Sequence, residues 1–201
     1  MNIQIINAQQ TPSVGFMENP EEFGKANREL IEKVIDSVKF MGSAIGLAAN
    51  QVSVDGERCQ SRFFIELDKN TKNWNVIINP QIISSIGMID YTTEGCLTWP
   101  GQCIIGKRFR QIKVSYYTID GDLKEEIITK FRAHVWQHEI NHLDGINEIV
   151  KTYKEVYDAS AVLASYQRNE KCPCGSGNKY KVCCLPFEPT NIKIYKSIKF
   201  D

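Results

Sequence analysis

In the first part of the chain, apolar side chains recur at Leu30, Ile31, Val34, Ile35, Val38 and Met41, mostly three or four positions apart. This spacing predicts an amphipathic helix with one buried face. Asn19-Pro20-Glu21-Glu22 marks its start, with a capping residue, a proline suited to the first helical position and acidic residues in the first turn. Gly42 is the expected stop. The period then changes. Arg62 to Leu67, Trp74 to Ile78 and Gln81 to Ile86 read as short strands, the last two separated by a turn at Asn79-Pro80. Ile112 to Ile119 and Lys124 to Thr129 flank Asp120-Gly121, a hairpin signature. Helical spacing returns at Phe131 and closes near Gly145. A last helix is expected from Glu155 to about Tyr166, with Ala159, Val162 and Leu163 on its apolar face. Helices enclosed by antiparallel or mixed strands define an α+β fold.

Composition divides the chain. Residues 1–166 form the expected main domain, and 167–171 are a polar linker. A cysteine-dense segment follows over 172–185, then a tail over 186–201. The 201 residues suffice for one buried core with a small appendage. Twenty-four basic residues balance 24 acidic ones, so no global field draws the chain to DNA or to a membrane. No apolar run approaches the roughly 20 residues needed to cross a bilayer. The first residues lack the basic start and apolar stretch of a secretory leader, so the expected location is cytoplasmic. Four of the seven cysteines crowd together at Cys172, Cys174, Cys183 and Cys184. An odd total and a tight cluster favour reduced thiols and metal over a disulfide framework.

The strongest chemical signal is His138-Glu139-x-x-His142, which uses two of the three histidines in the chain. Histidines four apart on a helix share a face and can grip one metal ion. The adjacent Glu139 can serve as a base toward water at that metal. A zinc peptidase would take a third ligand downstream, where Glu148 and Glu155 are available without a recognisable arrangement. Cys96, in Thr93-Glu94-Gly95-Cys96-Leu97-Thr98, is the better third ligand. A thiolate with two imidazoles suits a borderline divalent metal and leaves a fourth position open. Gly46-Leu47-Ala48-Ala49-Asn50-Gln51 combines small residues that permit close backbone approach with a neutral amide donor, useful against a developing oxyanion.

Ala44 to Gln51, Glu94 to Thr98 and Gln137 to His142, in that order, resemble the three motifs of peptide deformylase, and the likeness covers roughly residues 15–165. The Gly106-Lys107-Arg108 element is also similar to the family pattern. The resemblance implies a metal held by Cys96, His138 and His142, ferrous iron with zinc or nickel as substitutes. It implies that Glu139 is the base, and that Gln51 and the backbone N–H of Leu97 meet the oxyanion. The substrate would be an N-formyl-methionyl nascent peptide lying as an added strand beside Ile45 and Gly46. Its methionine would enter an apolar pocket beside the metal helix, bordered by His134 and Val135. Glu94 is expected to orient neighbouring groups, and His134 remains an alternative metal ligand. Three positions depart from the family pattern: Ala44 for glycine, Thr98 for serine and Asn141 for aspartate. None removes a ligand, base or oxyanion donor.

Cys172-Pro-Cys174-Gly-Ser-Gly, followed by Cys183-Cys184, resembles the SEC-C zinc module at the C-terminus of the SecA translocation ATPase. Four thiolates can close a tetrahedral zinc site and so stabilise a segment too small to fold on a core. The resemblance implies either a structural zinc knob or a tether to the ribosome or another protein. Lys171, Lys179 and Lys181 are candidates for phosphate contacts in such a tether. Three functional classes remain open here: a deformylase, a zinc peptidase, or a degenerate scaffold acting as an adaptor.

Overall fold

A computed structural model describes residues 1–6, 11–39, 41, 44–99, 102–146, 149–152, 168–170 and 179. The expected helix over 155–166, the four C-terminal cysteines, Glu148, Glu155 and the tail lie outside the described residues.

The elements in chain order are β1 (Ile3–Ile5), α1 (Pro20–Ala26), α2 (Arg28–Lys39), β2 (Gly46–Ala48), a 3₁₀ turn (Ala49–Gln51), β3 (Val52–Val54) and β4 (Glu57–Arg58). They continue with β5 (Phe63–Leu67), β6 (Trp74–Gly95), β7 (Gln102–Tyr117), β8 (Leu123–Thr129), α3 (Lys130–Leu143) and β9 (Ile149–Thr152). β1, β3 and β4 make a small antiparallel sheet, and the main antiparallel sheet runs β2-β5-β6-β7-β8, with β9 pairing β7. The architecture is α+β.

The main sheet carries core on both faces at its centre. Phe63, Ile65, Val76 and Ile78 pack with Ile31, Val34 and Val38 of α2. The alternating partners Phe64 and Ile77 pack on the other side with Ala133, Trp136, Ile140 and Leu143 of α3. This is why both segments read as continuous apolar runs rather than as alternating strands. Trp136 anchors the second cluster, with its ring edge-on to Phe64 at 5.0 Å and to Tyr116 at 5.1 Å between centroids.

Three sequence expectations need correction. The single helix expected from Pro20 to Met41 is two helices, broken at Asn27. There the Asn27 side chain and backbone N–H both donate to Phe23 O, so the amide competes with helix continuation. Asn19 does occupy the cap position of α1, but its side chain makes no capping bond. The turn expected at Asn79-Pro80 is a bulge within β6, which runs unbroken through 22 residues. Asn79 adopts φ +48° and exchanges two hydrogen bonds with the backbone of Met17, which locks the irregularity without reversing the chain. The partner strand is likewise longer than the sequence suggested, because β7 starts at Gln102 and not at Ile112.

The Asp120-Gly121 turn is as expected. Gly121 adopts φ +93°, and a Cβ there would stand 2.2 Å from Glu21 O. α1 therefore rests directly on this turn, and Gly24 makes the reciprocal approach to Ile119. Replacing Gly24 by alanine should gain about 1 kcal/mol of helix propensity. The new Cβ would meet Ile119 O at 2.1 Å, and such overpacking typically costs about 1–3 kcal/mol. Gly24→Ala should therefore lower the urea midpoint of the full chain; a raised midpoint would refute this close packing.

Candidate metal centre

α3 and the end of β6 bring three donors together. His138 and His142 project from the same face of α3, with Nε2 atoms 3.2 Å apart. Cys96 follows the last residue of β6, and its Sγ lies 3.3 Å from His142 Nε2. The ligating atoms of Cys96, His138 and His142 all lie within 4.8 Å of one another. Gln51 completes the cluster from the 3₁₀ turn. Its Oε1 accepts the Ala48 N–H at 2.9 Å, which turns Nε2 toward the centre. That Nε2 lies 2.6 Å from Thr98 Oγ1, 3.4 Å from Cys96 Sγ and 3.2 Å from His142 Nε2.

The far sides of the two rings decide what this cluster can hold. His138 Nδ1 faces Glu94 Oε2 at 2.8 Å, and His142 Nδ1 faces Thr11 Oγ1 at 3.3 Å. With Nδ1 protonated on each ring, both Nε2 atoms would turn lone pairs at one another beside a thiol sulfur. Such a set needs a cation or a proton between its members. Burial drives His142 well below its ordinary value, aided by the neighbouring His138. Burial also opposes charge on His138, but hydrogen bonds to Cys96 and Glu94 outweigh it and raise His138 well above the usual range. The centre is thus already arranged to share positive charge, and its donors fit a divalent ion.

Glu94 is neutralised in place. Arg108 donates to both its oxygens, at 2.9 and 2.7 Å, and Thr92 Oγ1 adds a third bond. Burial pushes the Glu94 carboxyl up, but the bonds from His138 and Arg108 dominate and hold it well below the usual carboxylate range. Glu139 is the opposite case. Burial pushes it up to about 7 against the opposing pull of His138, and its Oε2 has no hydrogen-bond partner among the described residues. A buried carboxylate with a spare oxygen and a value near neutrality is suited to taking up and returning a proton.

Other expected residues occupy distinct positions. A Cβ on Gly46 would meet Glu139 Oε1 at 2.5 Å, so a larger residue there would displace the carboxylate. Leu97 is half-buried against the α2 core cluster. Ile45 and Val135 line a cavity of about 320 Å³ together with Phe131, but Glu66, Asp68, Lys69 and Arg132 share its wall, so it is more polar than the apolar pocket expected. His134, one turn before His138, is not among the three converging donors. Trp99 lies over His142, with ring centroids 5.6 Å apart, and its successors Pro100 and Gly101 lie outside the described residues. Cys59 is buried, as expected, and desolvation raises its thiol. Sequence reasoning noted Thr98 for its hydroxyl but not as the acceptor for Gln51. It missed Thr11 and gave Asn50 no role beyond membership of its motif, since each contacts His142 across more than 90 positions and leaves no local pattern.

The fold thus brings a sulfur and two imidazoles together as a candidate metal site of a hydrolase. Comparison with known proteins agrees. The polypeptide deformylase family pattern matches residues 5–155, and the SEC-C motif matches residues 168–186. The peptide deformylase of Desulforudis audaxviator is 34% identical over 139 residues, covering 68% of this chain and 86% of that protein. The crystal structure of peptide deformylase from Thermotoga maritima superposes with a TM-score of 0.57 at 26% identity, covering 71% of this chain and 92% of the other. The deformylase of the Vibrio parahaemolyticus bacteriophage VP16T, solved in complex with actinonin, superposes with a TM-score of 0.59 at 25% identity, covering 72% and 98%. The chain belongs to the polypeptide deformylase family. It is a metallohydrolase that removes formyl groups.

The state of Glu139 generates a test of the metal-free protein. Its folded value near 7 exceeds the ordinary 4.5, so folding favours the protonated acid. The corresponding stability is full below about pH 4.5 and is lost as pH rises through 7. In the presence of a chelator, Glu139→Gln and the parent chain should be nearly equally stable at pH 4. At pH 8 the variant should be the more stable, by up to about 3 kcal/mol. Urea denaturation at both pH values checks this, and a constant difference across the range would contradict it.

Proposed function

We propose that Cys96, His138 and His142 hold one divalent ion, ferrous iron in the cell, for which zinc or nickel can substitute. The chain would then remove the formyl group from the N-terminal formyl-methionine of nascent proteins in the cytoplasm. The observation carrying this reading is the convergence of one sulfur and two imidazole nitrogens within 4.8 Å, beside a buried carboxylate with a spare oxygen. The family resemblance supports iron. Among the described residues no helix is long and apolar enough to cross a membrane.

When bound, the metal supplies a Lewis acid and lowers the pKa of water at the site. Glu139 takes a proton from the attacking water as the new C–O bond forms at the formyl carbon. The Gln51 Nε2–H and the Leu97 N–H donate to the oxyanion that develops, an arrangement favoured by the locked orientation of the Gln51 amide. Glu139 then returns its proton to the amine nitrogen, the C–N bond breaks, and formate leaves. β2 is an edge strand of the main sheet, which supports addition of the peptide alongside Ile45 and Gly46. The cavity at Val135 is the candidate receptor for the methionine side chain; His134, expected at the border of that pocket, is not among the residues lining it. Thr98 retains the hydroxyl expected at its position and accepts from Gln51.

Formate release from a formyl-Met peptide tests this reading. Glu139→Ala should lower kcat/KM by about a hundred- to ten-thousand-fold, and Gln51→Ala by about a hundred- to a thousand-fold. Cys96→Ser should lose metal and activity together. Full activity and metal content in Cys96→Ser would reject this ligand set.

Residues 1–166 are the proposed catalytic domain, 167–171 the linker and 172–185 a zinc module closed by Cys172, Cys174, Cys183 and Cys184. The match of the SEC-C motif to residues 168–186 supports this division. We assign the module a tethering role toward the ribosome or another protein, which would keep the enzyme near emerging N-termini. Ribosomes should co-sediment with the full chain and not with a chain ending before Cys172; equal co-sedimentation would remove the tether.

A further inference from the structure

The sequence offers no role for the segment before α1, yet the described part of it is tied closely to the metal centre. Thr11 is buried, 5% exposed, and its Oγ1 makes two contacts with one residue: His142 Nδ1 at 3.3 Å and His142 O at 3.2 Å. A hydroxyl carries one proton and accepts others. Because His142 Nε2 faces Cys96 and His138, Nδ1 is the nitrogen that carries hydrogen. Both contacts are then satisfied together: His142 Nδ1–H donates to Thr11 Oγ1, and the Thr11 hydroxyl donates to His142 O.

The segment is clamped so that this hydroxyl cannot drift. Asn50 Nδ2 donates to Pro12 O at 3.0 Å and to His142 O at 2.6 Å, joining the segment, the 3₁₀ turn and α3. Val14 N–H donates to Leu143 O, and Val14 O accepts from the buried Arg62, which is also paired with Asp144. Gly145 has φ +67°, and a Cβ there would meet Ser13 N at 2.6 Å, so the close approach of the segment to the end of α3 depends on glycine.

We infer that Thr11 is a positioning residue for the metal centre, fixing the tautomer and ring plane of His142 as Glu94 does for His138. The inference rests on the reading of His142 as a metal ligand. The two supports differ in charge. His138 is backed by a carboxylate and His142 by a neutral hydroxyl, so the two imidazoles present unequal donors to one ion.

The test uses the full chain loaded with Co²⁺ and reads visible difference spectra against Cys96→Ser, which cancel the bands of the four C-terminal cysteines and leave thiolate ligation and ligand geometry at this centre. Thr11→Val keeps the shape of the side chain and removes the hydroxyl; Thr11→Ser keeps the hydroxyl. Thr11→Val should bind Co²⁺ about ten- to a hundredfold more weakly in competition with a chelator, with shifted d–d bands. Thr11→Ser should restore the parent affinity and spectrum. The melting temperature of the metal-free Thr11→Val protein should stay near that of the parent. Parent-like affinity and bands in Thr11→Val would overturn the proposal, as would a Thr11→Ser variant as impaired as Thr11→Val. A metal-free Thr11→Val protein that has lost enough stability to account for the weaker binding would also overturn it. Should the parent chain show no thiolate band in that difference spectrum, the ligand reading falls and takes this inference with it. A parent with that band beside an unaffected Thr11→Val removes Thr11 alone.

Discussion

Placing polar chemistry on a buried helix creates a demand that the rest of the molecule is shaped to meet. α3 buries eight of its residues, and four of these, Gln137, His138, Glu139 and His142, are polar or ionisable. Each buried polar atom needs a partner or costs a large fraction of the stability of a small domain. Gln137 is answered by the backbone of Phe109, His138 by Glu94, and His142 by Thr11. Of these four, Glu139 keeps an oxygen without a hydrogen-bond partner among the described residues. The exception falls on the residue proposed to move the proton.

Meeting that demand explains the odd proportions of the sheet. β6 and β7 run well beyond the core, and the far end of their hairpin returns Glu94, Arg108 and Cys96 to one side of α3. The bulges in β6 bend a strand of this length without breaking its pairing with β7. Apolar packing on Trp136 then holds α3 against the same sheet, so core and site share one helix and are positioned by the same contacts. A loosened core would be felt first as a misplaced donor.

Electrostatically, the centre is built from compensated pairs. Arg108 cancels Glu94, which steadies His138 without adding net negative charge. Thr11 steadies His142 without any charge. What remains is a sulfur, two imidazoles and a neutral amide, a set that accepts a divalent cation and still leaves Gln51 able to donate to a nascent oxyanion. An arginine or lysine in place of Gln51 would repel the ion that the other three are arranged to hold.

Much of this was legible along the chain because the chemistry is local. The two histidines and Glu139 lie within five residues on one helix, and Cys96 and Gln51 each sit in a short segment of recognisable composition. Period and turn residues likewise placed α3 and the β7–β8 hairpin. The chain read alone misjudged Asn27 and Asn79-Pro80, where an asparagine side chain chose between competing backbone partners. One of those partners, Met17, lies 62 positions from Asn79. Thr11, Asn50 and the Glu94–Arg108 pair were out of reach for the same reason, or visible only as isolated residues. The sequence by itself determined which groups are candidates for the reaction, since the proposed ligands and base are distinguished by residue type and short spacing. Only the tertiary structure decided which nitrogen of each ring faces the cluster of donors and which carboxylate is neutralised by an arginine, because those depend on hydrogen bonds closed between distant segments.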